Sequence, residues 1–64
     1  MSTPEDELRT LVHDLRTPLT LVSGFSDLLV RRAEDLSARE RDEYVRRIAD
    51  AAREMRELLD RVDR

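Results

Sequence analysis

The residues best suited to chemistry lie in one run, H-D-L-R-T-P-L-T, which extends from His13 to Thr20. His13 is the only histidine in the chain. A neutral imidazole, with a reference pKa of roughly 6.5, is a nucleophile at cellular pH and can accept a phosphoryl group. Asp14 follows at once, and Thr17 lies one helical turn further on. These residue types favour a site for phosphoryl transfer.

The apolar residues around this run predict that the imidazole is exposed. When Leu8, Leu15, Val22 and Leu29 are placed at heptad position a, His13 falls at position f, opposite the buried seam. The outward side that begins at His13 continues along the helix through five further residues: Thr17, Thr20, Gly24, Asp27 and Arg31.

Pro18 lies where a helix would be expected to break. It has no N–H for the carbonyl of Asp14, and its ring crowds that carbonyl, at a cost of roughly 3 kcal/mol in a helix interior. The apolar register nevertheless runs through it unshifted, from Leu15 to Leu19 and Val22. We therefore predict one continuous helix with a bend beside His13, and the alternative is that Pro18 begins a new helix.

The run from His13 resembles the H-box of the dimerisation and histidine-phosphotransfer domain of bacterial sensor histidine kinases, which typically reads S-H-E/D-L-R-T-P-L. Val12 stands here in place of the serine, and Asp14 is the acidic residue. The likeness covers nearly the whole chain, because a helical hairpin of about this length makes up that domain.

The resemblance implies a role for each residue of the box. His13 would be the phosphoacceptor, and Asp14 a general base or the group that holds the ring in one tautomer. Spacing alone does not place Asp14 against the ring, because neighbouring residues on a helix point about 100° apart. Thr17 would position a water for dephosphorylation of the partner response regulator. The alternative is that its hydroxyl bonds only to its own helix.

The outward side of the first helix is also predicted to bind partners. Arg16 could help to neutralise the transferring phosphoryl group, or it could be an ordinary solvated arginine. Gly24 could leave room for another protein, or it could be a tolerated weak spot that costs roughly 1 kcal/mol relative to alanine. The predicted partner-binding residues are Arg16, Thr20, Gly24, Asp27 and Arg31.

The composition excludes several classes of function. Charged residues make up 42% of the chain, the net charge is -3, and cysteine is absent, so disulfides and Cys-ligated metals are excluded. Charges of both signs alternate along the chain, which is typical of a solvated helical surface and argues against a nucleic-acid partner. No run of about 18 apolar residues is present, so we expect no direct membrane insertion. We expect a cytoplasmic location, either as a free protein or as the cytoplasmic part of a membrane sensor.

The periodicity predicts an all-α fold in one domain, residues 1–64. Thr3 as N-cap and Pro4 begin helix 1, at about 4–34, and a turn follows at about 35–37. The capping box from Ser37 to Glu40 begins helix 2, at about 38–62, and so short a connection makes the helices antiparallel neighbours. Favourable i,i+4 ion pairs, each worth about 0.2–0.5 kcal/mol, are expected in helix 2: Asp42 with Arg46, Glu43 with Arg47, and Glu57 with Arg61.

The apolar stripes of the two helices predict self-association. Each stripe spans three or four heptad positions, which is wider than one partner helix can cover. We therefore predict a homodimer in which two helical hairpins form a four-helix bundle.

A chain with a single glycine has no Gly-rich loop to hold phosphates, so we predict no cofactor site and no activity on ATP by this chain alone. MgATP is expected to bind a catalytic domain of the same kinase. We interpret the chain as a fragment without that domain, because helix 2 continues in phase to Arg64 with no stop signal.

The leading hypothesis is a phosphoacceptor and dimerisation domain. His13 would be phosphorylated and would pass the phosphate to an aspartate on the receiver domain of a response regulator, whose dephosphorylation the domain could also support. One alternative is a stand-alone relay phosphotransferase that receives phosphate from a receiver domain. Another is a purely structural dimeric helical bundle.

Overall fold

The structure, a computed structural model, describes residues 3–63. Met1, Ser2 and Arg64 belong to the predicted domain but lie outside the described residues. The described part of the chain forms two helices and no strand: α1, Pro4–Arg31, and α2, Ala38–Val62. The predicted all-α class is confirmed. Neither described helix is long and apolar enough to cross a membrane.

Helix α1 begins at a reciprocal cap. The Thr3 hydroxyl accepts a hydrogen bond from the Asp6 backbone N–H at 3.1 Å, and the Asp6 carboxylate accepts one from the Thr3 N–H at 3.5 Å. Pro4 occupies the first turn, where its missing N–H has no partner to lose. The predicted Thr3 N-cap is confirmed, and Asp6 completes a capping box.

Pro18 lies inside α1, so the alternative that it begins a new helix is wrong. Its side chain is less than 2% exposed. The helix continues because apolar residues before and after Pro18 share one stripe against α2, and their burial offsets the missing hydrogen bond. The bend itself stays a prediction.

Helix α1 ends at Arg31 rather than near residue 34. The chain turns because the N–H groups of Asp35 and Leu36 both donate to the Arg32 carbonyl, at 2.9 and 3.1 Å. Leu36 is buried, and the Arg41 guanidinium donates to the Ala33 carbonyl at 3.2 Å. Contacts from outside the helix therefore fix its end.

Helix α2 begins at the predicted capping box. The Ser37 hydroxyl accepts from the Glu40 N–H, and the Glu40 carboxylate accepts from the Ser37 N–H, both at 3.1 Å. Of the predicted i,i+4 ion pairs, only Glu43 with Arg47 forms, at 3.7 Å. The other two predicted pairs do not form among the described residues, so their prediction is wrong. An exposed ion pair gains little free energy in water, and this gain often does not offset the entropy lost by fixing two long side chains.

The two helices pack side by side as an antiparallel hairpin about 50 Å long and 13 Å across its thinnest dimension. Near the turn, the rings of Phe25 and Tyr44 lie 5.1 Å apart and are tilted by 42°. The Arg47 guanidinium lies 6.0 Å from the centre of the Phe25 ring, which is within the range of a cation–π interaction.

A large apolar surface stays exposed on one side of the hairpin. Helical rotation of about 100° per residue places two exposed stripes, one from each helix, on that same side. We call this surface the open apolar face, and its large residues are Leu8, Val12, Leu19 and Val30 of α1 with Val45 and Leu59 of α2.

The capping box of α2 predicts a pH dependence of stability. The backbone N–H of Ser37, and secondarily its side chain, hold the pKa of Glu40 below its ordinary value of 4.5. A carboxyl whose pKa is lowered by folding contributes stability above its unfolded pKa, and the contribution is lost as pH falls through the folded pKa. We expect the wild type to be more stable than Glu40→Gln at neutral pH, and the two to converge below pH 4.5.

Circular dichroism during thermal unfolding at a series of pH values measures this difference. Glu34→Gln, which changes an exposed glutamate outside both capping boxes, is the matched control. A difference between the wild type and Glu40→Gln that persists at low pH would contradict the assignment.

Candidate functional site

The imidazole of His13 projects from α1 into solvent. Its side chain is 86% exposed, which confirms the predicted exposure of the ring. His13 lies just over one turn before the buried Pro18, so this part of α1 is packed against α2 while the ring itself is exposed. An incoming group can therefore reach the ring without any rearrangement of the hairpin.

Asp14 lies against this ring. Its Oδ1 atom is 3.4 Å from His13 Nδ1, and the Asp14 side chain is 47% exposed. A proton on Nδ1 can be donated to this carboxylate, which leaves the lone pair on Nε2 free. Spacing alone did not predict this contact, since it depends on the rotamers of two adjacent exposed side chains.

An open groove lies between the two helices beside the ring. Because the helices are antiparallel, the carboxyl-terminal half of α2 runs alongside the amino-terminal half of α1. Helix α1 contributes His13, Asp14, Thr17 and Pro18 to the groove, and helix α2 contributes Glu54, Glu57, Leu58 and Arg61.

Sequence reasoning missed the α2 side of this groove. The spacing of Glu54, Glu57, Leu58 and Arg61 shows that they share one face of a helix, which is the signal that could have found them. Which residues of α1 they face depends on the register between the helices, and the periodicity of neither helix fixes that register.

Three residues of the predicted site surround the ring on α1. His13, Arg16, Thr17 and Thr20 line a second shallow depression together with Leu21. The Thr20 hydroxyl donates to the Arg16 carbonyl at 2.8 Å, whereas the Thr17 hydroxyl has no hydrogen-bond partner among residues 3–63. A hydrogen bond from the hydroxyl to its own helix was the alternative for Thr17, but Thr20 makes such a bond instead.

The remaining predicted partner-binding residues lie further along α1 and do not line the groove. Asp27 and Arg31 are exposed and form an i,i+4 ion pair at 3.3 Å. A Cβ added at Gly24 would meet nothing within 4 Å, so the hairpin itself does not require glycine there. Both interpretations of Gly24 remain open.

The groove beside His13 is rich in carboxylates. Asp14, Glu54 and Glu57 line it, and Arg61 is the only cation among its described lining residues. No group of three or more metal-ligating side chains among residues 3–63 is arranged to hold a metal ion. The arrangement thus offers a nucleophilic ring, a carboxylate at its Nδ1 atom and a hydroxyl one turn away.

A family comparison agrees with this arrangement. The model of the His Kinase A (phospho-acceptor) domain matches residues 5–64. The chain belongs to this family. The resemblance inferred from the H-box is therefore confirmed, and the hairpin is a His Kinase A (phospho-acceptor) domain.

One curated relative of this His Kinase A domain is the circadian input-output histidine kinase CikA of Synechococcus elongatus. It is 40% identical over 52 residues, which cover 81% of this chain. The matched region amounts to 7% of the length of CikA. No solved structure matches the chain significantly.

Proposed function

We propose that this His Kinase A domain accepts a phosphoryl group on His13 and passes it to an aspartate of a response regulator. The observation that supports this proposal best is the pairing of an exposed imidazole with a carboxylate on its Nδ1 side. ATP would be bound by the catalytic domain of the same kinase. We assign the reaction to the cytoplasm, the compartment that supplies ATP.

The chemistry assigns each ring nitrogen a different task. The Nε2 lone pair attacks the terminal phosphorus of ATP, the bond from phosphorus to the bridging oxygen breaks, and ADP leaves. Asp14 accepts a hydrogen bond from the Nδ1–H and stabilises the positive charge that develops on the ring. In the second step a regulator carboxylate attacks the same phosphorus, and the N–P bond breaks.

A labelling experiment tests the phosphoacceptor. With a matching catalytic domain and MgATP, we expect the wild type to gain an acid-labile, base-stable label, and His13→Gln to gain none. Because His13 is the only histidine in the chain, any phosphohistidine must be at this position. Glu34→Gln, which changes an exposed carboxylate in the turn, is a control that should label normally. A label that persists in His13→Gln would refute the assignment.

We also propose that Thr17 supports dephosphorylation of the regulator. An unengaged hydroxyl one helical turn from His13 can orient a water toward the phospho-aspartate of a docked receiver domain. The Thr20 hydroxyl is already bonded to the helix, so it is less suited to this task.

Replacement of Thr17 should separate the two activities. We expect Thr17→Ala to retain labelling of His13 and to slow the release of phosphate from the phosphorylated regulator by about tenfold or more, since misplacing a reacting group can cost about 10²-fold. Ser23→Ala, which removes an exposed hydroxyl of α1 outside the predicted partner-binding residues, should leave this rate nearly unchanged. Release of inorganic phosphate from a purified phospho-receiver measures the rate, and equal rates for the Thr17→Ala variant and the wild type would exclude the role.

We further propose that the domain is a homodimer joined through the open apolar face. A second hairpin packed there would complete a four-helix bundle and remove the large side chains of both helices from water. Helical rotation puts the groove that contains Asp14 and Arg61 on the opposite side of the hairpin, so dimerisation would leave His13 accessible.

Two leucines of similar exposure test the dimer. Leu19, on the open apolar face, is 52% exposed, and Leu21, on the groove side, is 41% exposed. We expect Leu19→Glu to convert the dimer to a monomer at micromolar concentration, because a carboxylate would be buried without a partner. Leu21→Glu should remain dimeric. Sedimentation equilibrium gives both masses, and a monomeric wild type would overturn the proposal.

A further inference from the structure

Arg61 has an unassigned position in the groove beside His13. It lies in the last turn of α2 and lines the same groove as His13, Asp14 and Thr17. It also lines the adjoining depression, together with Asp14 and Leu58. Its guanidinium forms no ion pair within residues 3–63, and the expected pairing with Glu57 is absent there.

The groove around the unpaired Arg61 guanidinium carries mostly negative charge. The groove carries the carboxylates of Asp14, Glu54 and Glu57. A phosphoryl group on His13 would add a charge of about -1.5 to -2, as other phosphorylated side chains do at neutral pH. Like charges in one groove oppose each other, so a phosphorylated ring needs a nearby cation more than the free ring does.

We propose that Arg61 binds the phosphoryl group carried by His13, which extends the proposed function from α1 to a residue of α2. The planar guanidinium can donate two parallel N–H bonds to phosphoryl oxygens, a geometry that lysine cannot reproduce. Glu57 stands one turn before Arg61 without engaging it, so the guanidinium is available when the phosphoryl group arrives.

Chemical phosphorylation tests this role on the chain as it exists. With phosphoramidate as donor, Nε2 of His13 forms a bond to phosphorus and the donor P–N bond breaks. Ammonia leaves, and the proton released from Nδ1 of the ring converts it to ammonium. No catalytic domain is needed. The initial rate of phosphohistidine formation is compared in the wild type, Arg61→Gln, Arg61→Lys and Arg56→Gln. Arg56 lies on the same helix but does not line the groove, so its variant controls for the lost charge.

We expect Arg61→Gln to slow labelling by about three- to fivefold, the range that an exposed charge pair supports. Arg61→Lys should recover part of the rate, and Arg56→Gln should behave as wild type. The loss should shrink at high ionic strength, because salt screens exposed charges. Equal rates for Arg61→Gln and the wild type, or an equal loss in Arg56→Gln, would overturn the proposal.

A second measurement separates binding from a structural effect at the end of α2, where a cation also interacts favourably with the helix dipole. Phosphorus NMR of the phosphohistidine follows the last ionisation of the phosphoryl group. Arg61 favours the dianion, so the pKa of this group should be higher in Arg61→Gln than in the wild type or Arg56→Gln. An unchanged pKa in Arg61→Gln would overturn the proposal even if labelling slowed.

The same experiment distinguishes failure of this inference from failure of the proposed function. A folded wild type that gains no phosphohistidine, at any phosphoramidate concentration that labels free imidazole, would overturn the phosphoacceptor assignment and this inference with it. Labelling of the wild type that does not depend on Arg61 would overturn this inference alone.

Discussion

A two-helix hairpin can bury only the stripe along which its helices touch, and this limit governs the whole structure. Among the described residues, only Pro18, Leu36 and Ala51 are buried, whereas large apolar residues remain exposed on both helices. Burying apolar surface is the main favourable term in folding, so the hairpin alone gains little free energy of folding from burial. Residues 3–63 do not supply a second layer that covers the open apolar face.

This limit also separates the two sides of the molecule. Apolar side chains gather on one side, while the groove on the other side is lined mainly by charged and polar groups. Association through the apolar side therefore need not compete with chemistry at the ring. The same hairpin can serve as an assembly element and as a phosphoacceptor because the two tasks use different faces.

Local signals in the sequence predicted the parts of the fold that depend on local contacts. The caps at Thr3 and Ser37 join residues three apart, and the apolar register carried α1 correctly through Pro18. The end of α1 was placed too late because Arg32 to Glu34 are residues that helices accept readily. The turn is fixed instead by the burial of Leu36 and by Arg41, which is eight residues from the carbonyl that it binds.

The functional site also has parts that the sequence predicted and parts that depend on tertiary packing. The exposure of His13 followed from its heptad position, but the contact of Asp14 with the ring depends on side-chain rotamers. The residues that α2 contributes, Glu57 and Arg61 among them, depend on how two helices align over the length of the hairpin. Periodicity gives the face on which a residue lies, and only packing gives its neighbour across the groove.

Pro18 also determines where α1 is least stiff. It has no N–H, so the main-chain ladder lacks the bond that would join residue 18 to the Asp14 carbonyl. Just below, the Thr20 hydroxyl shares the Arg16 carbonyl, a bond of the kind that often bends helices. We therefore expect any bending of α1 to concentrate about one turn beyond the imidazole.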